Sequence, residues 1–252
     1  MSVLEIAILV AVGCLSGSVN AVVGGGTFFT FPVLLALGVP PVAANATNTV
    51  ALWPASLMAA RAYIVELRSV KQKLPLRAAI AVLGGVIGAF LLLASSDEVF
   101  SYLIPWLIAI ATTLFAFSKP IVRHLSKLSS GANAALMVGL ELVFAIYGGY
   151  FGAGIGILLM AALAVMGETD PQVANAQKNL LSGLINGAAV VVFAAQGAVV
   201  WSYALVVMVG AVAGGYFGAR AARHIPAKAL RFCVIGMGCI LALIYFQRAY
   251  FP

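Results

Sequence analysis

The sequence predicts an all-α polytopic membrane protein built from two copies of one unit, inserted upside down relative to each other. Three observations carry that prediction. Long runs hold no charge, many residues match at a fixed offset of 130, and the basic residues crowd into three loops. The chain is 63% hydrophobic and 8% charged, whereas soluble domains carry about 25% charged residues. Residues 6–60, 78–96 and 99–118 contain no Asp, Glu, Lys or Arg. A spanning helix needs about 20 mostly apolar residues, and these runs supply them. A β-barrel would need alternating polar and apolar positions. The runs are instead continuous and rich in Ala, Leu, Val and Gly, which suits helices packed through small residues.

The repeat explains the order of elements. Gly24 and Gly26 match Gly154 and Gly156, and Pro41 matches Pro171. Ala44-Asn45-Ala46 matches Ala174-Asn175-Ala176, and Gly84, Gly85 and Gly88 match Gly214, Gly215 and Gly218. A Pro-x-x-Ala-Asn-Ala match and two glycine clusters in one register do not arise from low complexity alone. The first copy is assigned to 1–118, a basic cytoplasmic linker to 119–131 and the second copy to 132–252. Apolar segments are expected near 3–20, 26–37, 43–60, 78–95 and 100–118, then near 132–149, 155–166, 173–195, 202–219 and 232–247. The first two of each copy are read as short, either crossing together or re-entrant, so the count of membrane segments falls between eight and ten. Glu5 stands where a signal peptide carries basic residues, so the first segment is read as part of the fold.

Orientation follows from the basic residues. Arg61, Arg68, Lys71, Lys73 and Arg77 share one loop; Lys119, Arg123 and Lys127 a second; Arg220, Arg223, Lys228 and Arg231 a third. The positive-inside rule places all three in the cytoplasm, and Asp97 and Glu98 outside. The offset maps the basic loop 61–77 onto the uncharged stretch 191–207, so the copies are expected to be inverted. Inverted repeats with interrupted helices are a recurrent architecture of secondary transporters, with substrate held near the midplane.

The candidate site is read from the interruptions. Gly24-Gly25-Gly26 lets the backbone unwind, and a helix starting there presents free N–H groups and a positive dipole end. Thr27 adds a hydroxyl, and Gly152, Gly154 and Gly156 repeat the arrangement in the second copy. Two such ends facing each other suit an anion. A nucleotide loop would need Gly-Lys-Ser/Thr after the glycines, which is absent. Close helix packing is the plainer use of these glycines. The third segments open with Asn45 and Asn48 in one copy and Asn175, Lys178 and Asn179 in the other. Asn45 and Asn175 are either helix caps or ligands. Asn48 and Lys178 occupy the same repeat position, and Lys178 is the natural counter-charge for an anion unless it snorkels to the surface. Ser56 and Asn186 match further along and are candidate lining. Glu141 stands in an apolar run and is a candidate proton carrier or a partner for Lys178.

Other classes are disfavoured. Cys14, Cys233 and Cys239 lie in apolar stretches without metal-ligand spacing, and no nucleophile–base set or ATP-binding motif is apparent, so neither an enzyme nor a cofactor is expected. The net charge of +7 is explained by topology and calls for no nucleic-acid partner. The expected partners are a small anion, protons as a candidate coupling ion, and membrane lipid. A passive anion channel and a non-transport membrane module are the alternatives. Export of a divalent anion would run down an inside-negative potential, worth about 2.3 kcal/mol per charge per 100 mV.

The stretch GCLSGSVNAVVGGGTFFTFPVLLALGVPPVAANATNTV, its echo GGYFGAGIGILLMAALAVMGETDPQVANAQKNLLSGLINGAAVV, and QGAVVWSYALVVMVGAVAGGYFGAR together resemble the TauE/SafE family over nearly the whole chain. The resemblance implies a transporter of the bacterial or archaeal inner membrane, handling sulfite, organosulfonates or related small anions. It carries over onto Gly24, Gly25, Gly26, Asn45 and Asn48, and onto Gly152, Gly154, Gly156, Asn175 and Asn179. Gln177-Lys178 departs from the small or hydroxyl residues of many relatives, which points to a substrate other than sulfite.

Overall fold

The computed structural model describes residues 1–22, 25–72, 74–126, 134–221 and 227–251. Among these residues there are eleven helices and no strand. The first copy holds α1 (Val3–Val22), α2 (Thr27–Ala36), α3 (Pro41–Ala62), α4 (Ile64–Ser69), α5 (Leu74–Ala94) and α6 (Asp97–Ser126). The second holds α7 (Ala134–Tyr150), α8 (Ile155–Val165), α9 (Pro171–Ala195), α10 (Trp201–Ala221) and α11 (Ala227–Tyr250). Five stretches are long and apolar enough to cross a membrane: Val3–Asn20, Leu74–Ala94, Asp97–Ser118, Gln172–Ala195 and Arg231–Tyr250. Large apolar side chains such as Phe90, Val191 and Leu243 stay exposed along these helices, as a lipid-facing surface requires.

The second segment of each copy is short, and α7, the first segment of the second copy, also falls among the shorter apolar helices. α2 has 10 residues and α8 has 11, or roughly 15–17 Å at 1.5 Å per residue, about half of a 30 Å hydrocarbon core. α1, with 20 residues, is long enough to cross alone, contrary to the expectation that the first segment is short as well. The small helix α4 has no counterpart 130 residues later, and α6 continues through the start of the predicted linker to Ser126. Lys73, Lys127 and Arg223 lie outside the described residues.

Helix starts are capped by acids, not by the predicted asparagines. Asp170 accepts from the Gln172 and Val173 amides at 2.8 and 3.3 Å, ahead of Pro171 in the first turn of α9. In the first copy Pro40 occupies the equivalent place, and the carboxylate comes from afar: Asp97 accepts from Val42 N–H at 2.9 Å. Asn45 and Asn175 fall in the second turns of their helices, too far in to act as caps.

Packing preserves the repeat. With α1, α2, α3, α5 and α6 exchanged for α7, α8, α9, α10 and α11, the contact α1–α10 becomes α7–α5, and α5–α9 becomes α10–α3. The pairs α1–α2, α2–α3 and α1–α3 become α7–α8, α8–α9 and α7–α9, while α3–α9 and α6–α11 map onto themselves. Trp53 Nε1 donates at 3.0 Å to the carbonyl of Gly183, its own repeat equivalent. Glycine brings the paired helices into backbone contact. A Cβ on Gly214 would fall 1.9 Å from the Cys14 carbonyl oxygen, and one on Gly88 would fall 2.1 Å from that of Ile146.

One basic residue of the third loop ties helices together. Pro120 lacks the N–H that would bond the Ala116 carbonyl inside α6. Arg231 on α11 supplies the missing donor, with Nη2 3.0 Å from Ala116 O and Nε 2.9 Å from Phe115 O.

Candidate functional site

α3 and α9 cross at the centre of the molecule, flanked by the short helices α2 and α8. Between them lies a cavity of about 70 Å³. A single water needs roughly 10–15 Å³ on that scale, so the space holds a small ion with some water. α3 contributes Asn48, Thr49, Leu52 and Ser56, and α9 contributes Lys178, Asn179, Ser182 and Asn186. These are four pairs of repeat-equivalent positions, each pair 130 apart. The spacing is the reason: 48, 52 and 56, and likewise 178, 182 and 186, fall at successive fourth residues along one helix face.

The α7–α8 interruption reaches the same cavity. Gly152 and Gly154 both have φ +77°, a left-handed conformation that costs residues with a Cβ about 1–2 kcal/mol. Tyr147 pins this turn by donating to Ala153 O at 2.8 Å. Gly152, Ile155 and Gly156 line the cavity at the start of α8. A Cβ on Gly156 would stand 3.4 Å from Lys178 Cδ, so the lysine stem passes directly over this glycine. From the other copy, Thr27 lines the cavity at the start of α2, and Asn20 at the end of α1.

Lys178 is the one charged residue in this lining. It takes part in no hydrogen bond or ion pair among the described residues, where the sole salt bridge joins the N-terminal ammonium to Glu5. Its repeat counterpart Asn48 is held from behind. Thr30 donates to Asn48 Oδ1, and Asn48 Nδ2 donates to Thr27 Oγ1 at 3.3 Å. With one lone pair engaged, the Thr27 hydroxyl keeps its proton for another acceptor. The arrangement offers an ammonium, an amide, a hydroxyl and a helix start to an anion.

Two side-chain clusters adjoin these helices, and one of them reaches the cavity. Phe151 lines it and stacks edge-on against Phe31, with ring centroids 5.8 Å apart, and Phe31 and Phe151 both contact Phe100. The other is polar. Arg77 on α5 donates to Gln177 Oε1 and to Met166 Sδ, and Gln177 Nε2 donates to Glu168 Oε2 at 2.9 Å. The repeat equivalent of Gln177 is Thr47, whose hydroxyl accepts from Val200 N–H at 3.0 Å, just ahead of α10. The same position in each copy thus reaches the other copy's fourth long segment.

Of the predicted residues, Thr27, Asn48, Ser56, Gly152, Gly156, Lys178, Asn179 and Asn186 line the cavity. Others do structural work. Gly25 packs against Val234 and Phe115, and Gly26 against Ser16 O of α1. Gly154 forms the left-handed turn. Asn45 Nδ2 donates to Tyr150 O at 2.8 Å and ties α3 to the end of α7. Asn175 is half-buried and outside the lining, and Gly24 lies outside the described residues. Glu141 is buried on α7, outside the cavity lining, and forms no ion pair with Lys178 among the described residues. Asn20, Thr49 and Ser182 were not predicted. The fourth-residue stripe from Lys178 through Ser182 to Asn186 was the available signal for Ser182.

Comparison with known proteins agrees with this architecture. Residues 9–245 match the family described as Sulfite exporter TauE/SafE. A probable membrane transporter protein of Haemophilus influenzae is 29% identical over 85% of this chain and 84% of its own length. The probable membrane transporter protein ORF9 of a Sinorhizobium species is 28% identical over 94% of this chain and 91% of its own. The probable membrane transporter protein YfcA of Escherichia coli K12 is 26% identical over 96% and 90%. No solved structure matches the chain. These relatives are transporters, not enzymes, and the chain is a multi-pass membrane protein that belongs to the Sulfite exporter TauE/SafE family.

Proposed function

We propose that the protein is a secondary transporter of a small anion, exporting it across a bacterial or archaeal inner membrane by alternating access between two inverted copies. One observation carries the reading: the Lys178 ammonium faces the central cavity without a carboxylate partner. A charge without a partner is expensive in a membrane interior, and a bound anion offsets that cost. The exchange of helix contacts between the copies supports the inverted repeat, as does the crowding of basic residues into three loops. Sulfite, named in the family's description, is the first substrate to consider, with organosulfonates and small carboxylates beside it.

Thermal unfolding of purified protein with sulfite, sulfate, thiosulfate, sulfoacetate, taurine, lactate and acetate tests the reading. At least one anion is expected to stabilise the wild type, and Lys178→Ala to abolish that effect. Equal stabilisation of both proteins would move the anion off Lys178. Absence of any stabilisation would count against an anion site altogether.

A further inference from the structure

Lys178 is not the only lining group that lacks a protein partner. Asn20, Ser56, Asn179, Ser182 and Asn186 line the same cavity, and none makes a side-chain hydrogen bond among the described residues. Asn48 and Thr49 are different. The first is engaged by Thr27 and Thr30, and the second donates to Asn45 O at 2.9 Å. The unengaged set therefore holds one cation, three carboxamides and two hydroxyls.

The chemistry of that set constrains its ligand. An ammonium only donates, whereas each carboxamide presents an acceptor oxygen beside its donor nitrogen. A bare oxyanion offers acceptors alone. It satisfies Lys178 and the amide N–H groups, while the Ser56 and Ser182 hydroxyls can serve at most two of the Asn20, Asn179 and Asn186 oxygens, so at least one carboxamide oxygen lacks a donor from this set. The lining also holds a single positive charge and no Asp or Glu. A monoanion balances that charge, while a dianion would carry an uncompensated charge into a low-dielectric site.

Resting on the anion reading above, we infer that the substrate is a small monoanion bearing its own hydrogen-bond donor, of the hydroxy-carboxylate or hydroxy-sulfonate kind. The anionic head lies at Lys178, beside Gly156 at the start of α8. The donor group meets the carboxamide oxygens carried by α9 and by the end of α1. A site built to receive a hydroxyl discriminates strongly against the analogue that lacks it, because its own polar groups are then left unpaired.

Matched pairs test this in purified full-length protein at neutral pH and constant ionic strength, where both members of each pair are ionised. Thermal unfolding is titrated with glycolate against acetate, lactate against propionate, and 2-hydroxyethanesulfonate against ethanesulfonate. The hydroxylated member of at least one pair is expected to act at about tenfold lower concentration, equivalent to one hydrogen bond of ordinary strength. Whether a carboxylate or a sulfonate pair responds identifies the head group. Asn186→Leu is expected to bring the responding pair within about twofold, and Ser182→Ala serves as the milder variant if Asn186→Leu does not fold. Equal action of both members in every pair overturns this inference and leaves the anion site standing. Persistence of the tenfold preference in both variants overturns the assignment of the donor pocket to α9. No response to any anion overturns both readings together.

Discussion

At the scale of single residues, glycine has two separable uses in this fold. Gly214 stands where α10 touches the α1 backbone, and any side chain would collide with the Cys14 carbonyl. Gly214→Ala is expected to lower stability by about 1–3 kcal/mol, the usual cost of overpacking, seen as a lower unfolding midpoint in detergent. Gly139 in α7 has nothing within 4 Å of its Cβ position, so Gly139→Ala is expected to be neutral or to stabilise by up to about 1 kcal/mol through helix propensity. The sequence does not separate such cases. Gly25 and Gly26 sit in the predicted break, yet they serve contacts with Val234 and Ser16, residues that only the fold brings near. Lys178 was legible because a charge inside an apolar segment demands an explanation. Asn20 was not, since a lone asparagine at a helix end has many uses.

At the scale of elements, the repeat made most helices readable in advance. The matches at 130 and the apolar runs placed nine of the eleven helices within about five residues. The exceptions have physical causes. α4 lies in a charged loop without an apolar run, and α6 extends past Lys119 and Pro120 because Arg231 takes over the carbonyl that the proline leaves free. The acid caps were missed because Asp97 reaches α3 from 55 residues away. The Arg77–Gln177–Glu168 chain also depends on tertiary placement, joining α5, α9 and the turn before α9. Arg77→Leu strands the fully buried Gln177 Oε1. A loss of about 1–3 kcal/mol is expected from the unpaired buried group. Thr47→Val, at the repeat-equivalent position, removes one neutral bond to Val200 N–H and is expected to cost about 1 kcal/mol. The two unfolding midpoints, measured side by side, check the ordering.

At the scale of the whole molecule, exchanging the copies preserves the helix contacts but not the chemistry of the cavity lining. Lys178 on α9 faces a cavity whose equivalent position on α3 is a neutral asparagine. A substrate held there would meet one charged and one neutral half, and the proposed alternating access requires the two copies to change shape in turn to expose it to either side. The most direct test is counterflow in proteoliposomes, with labelled lactate and labelled sulfite as separate probes and the same unlabelled anion trapped inside. Alternating access predicts that at least one probe shows saturable uptake, accelerated by the trapped anion and lost in Lys178→Ala. Flux that rises linearly with concentration, ignores the trapped anion and persists in the variant would contradict it.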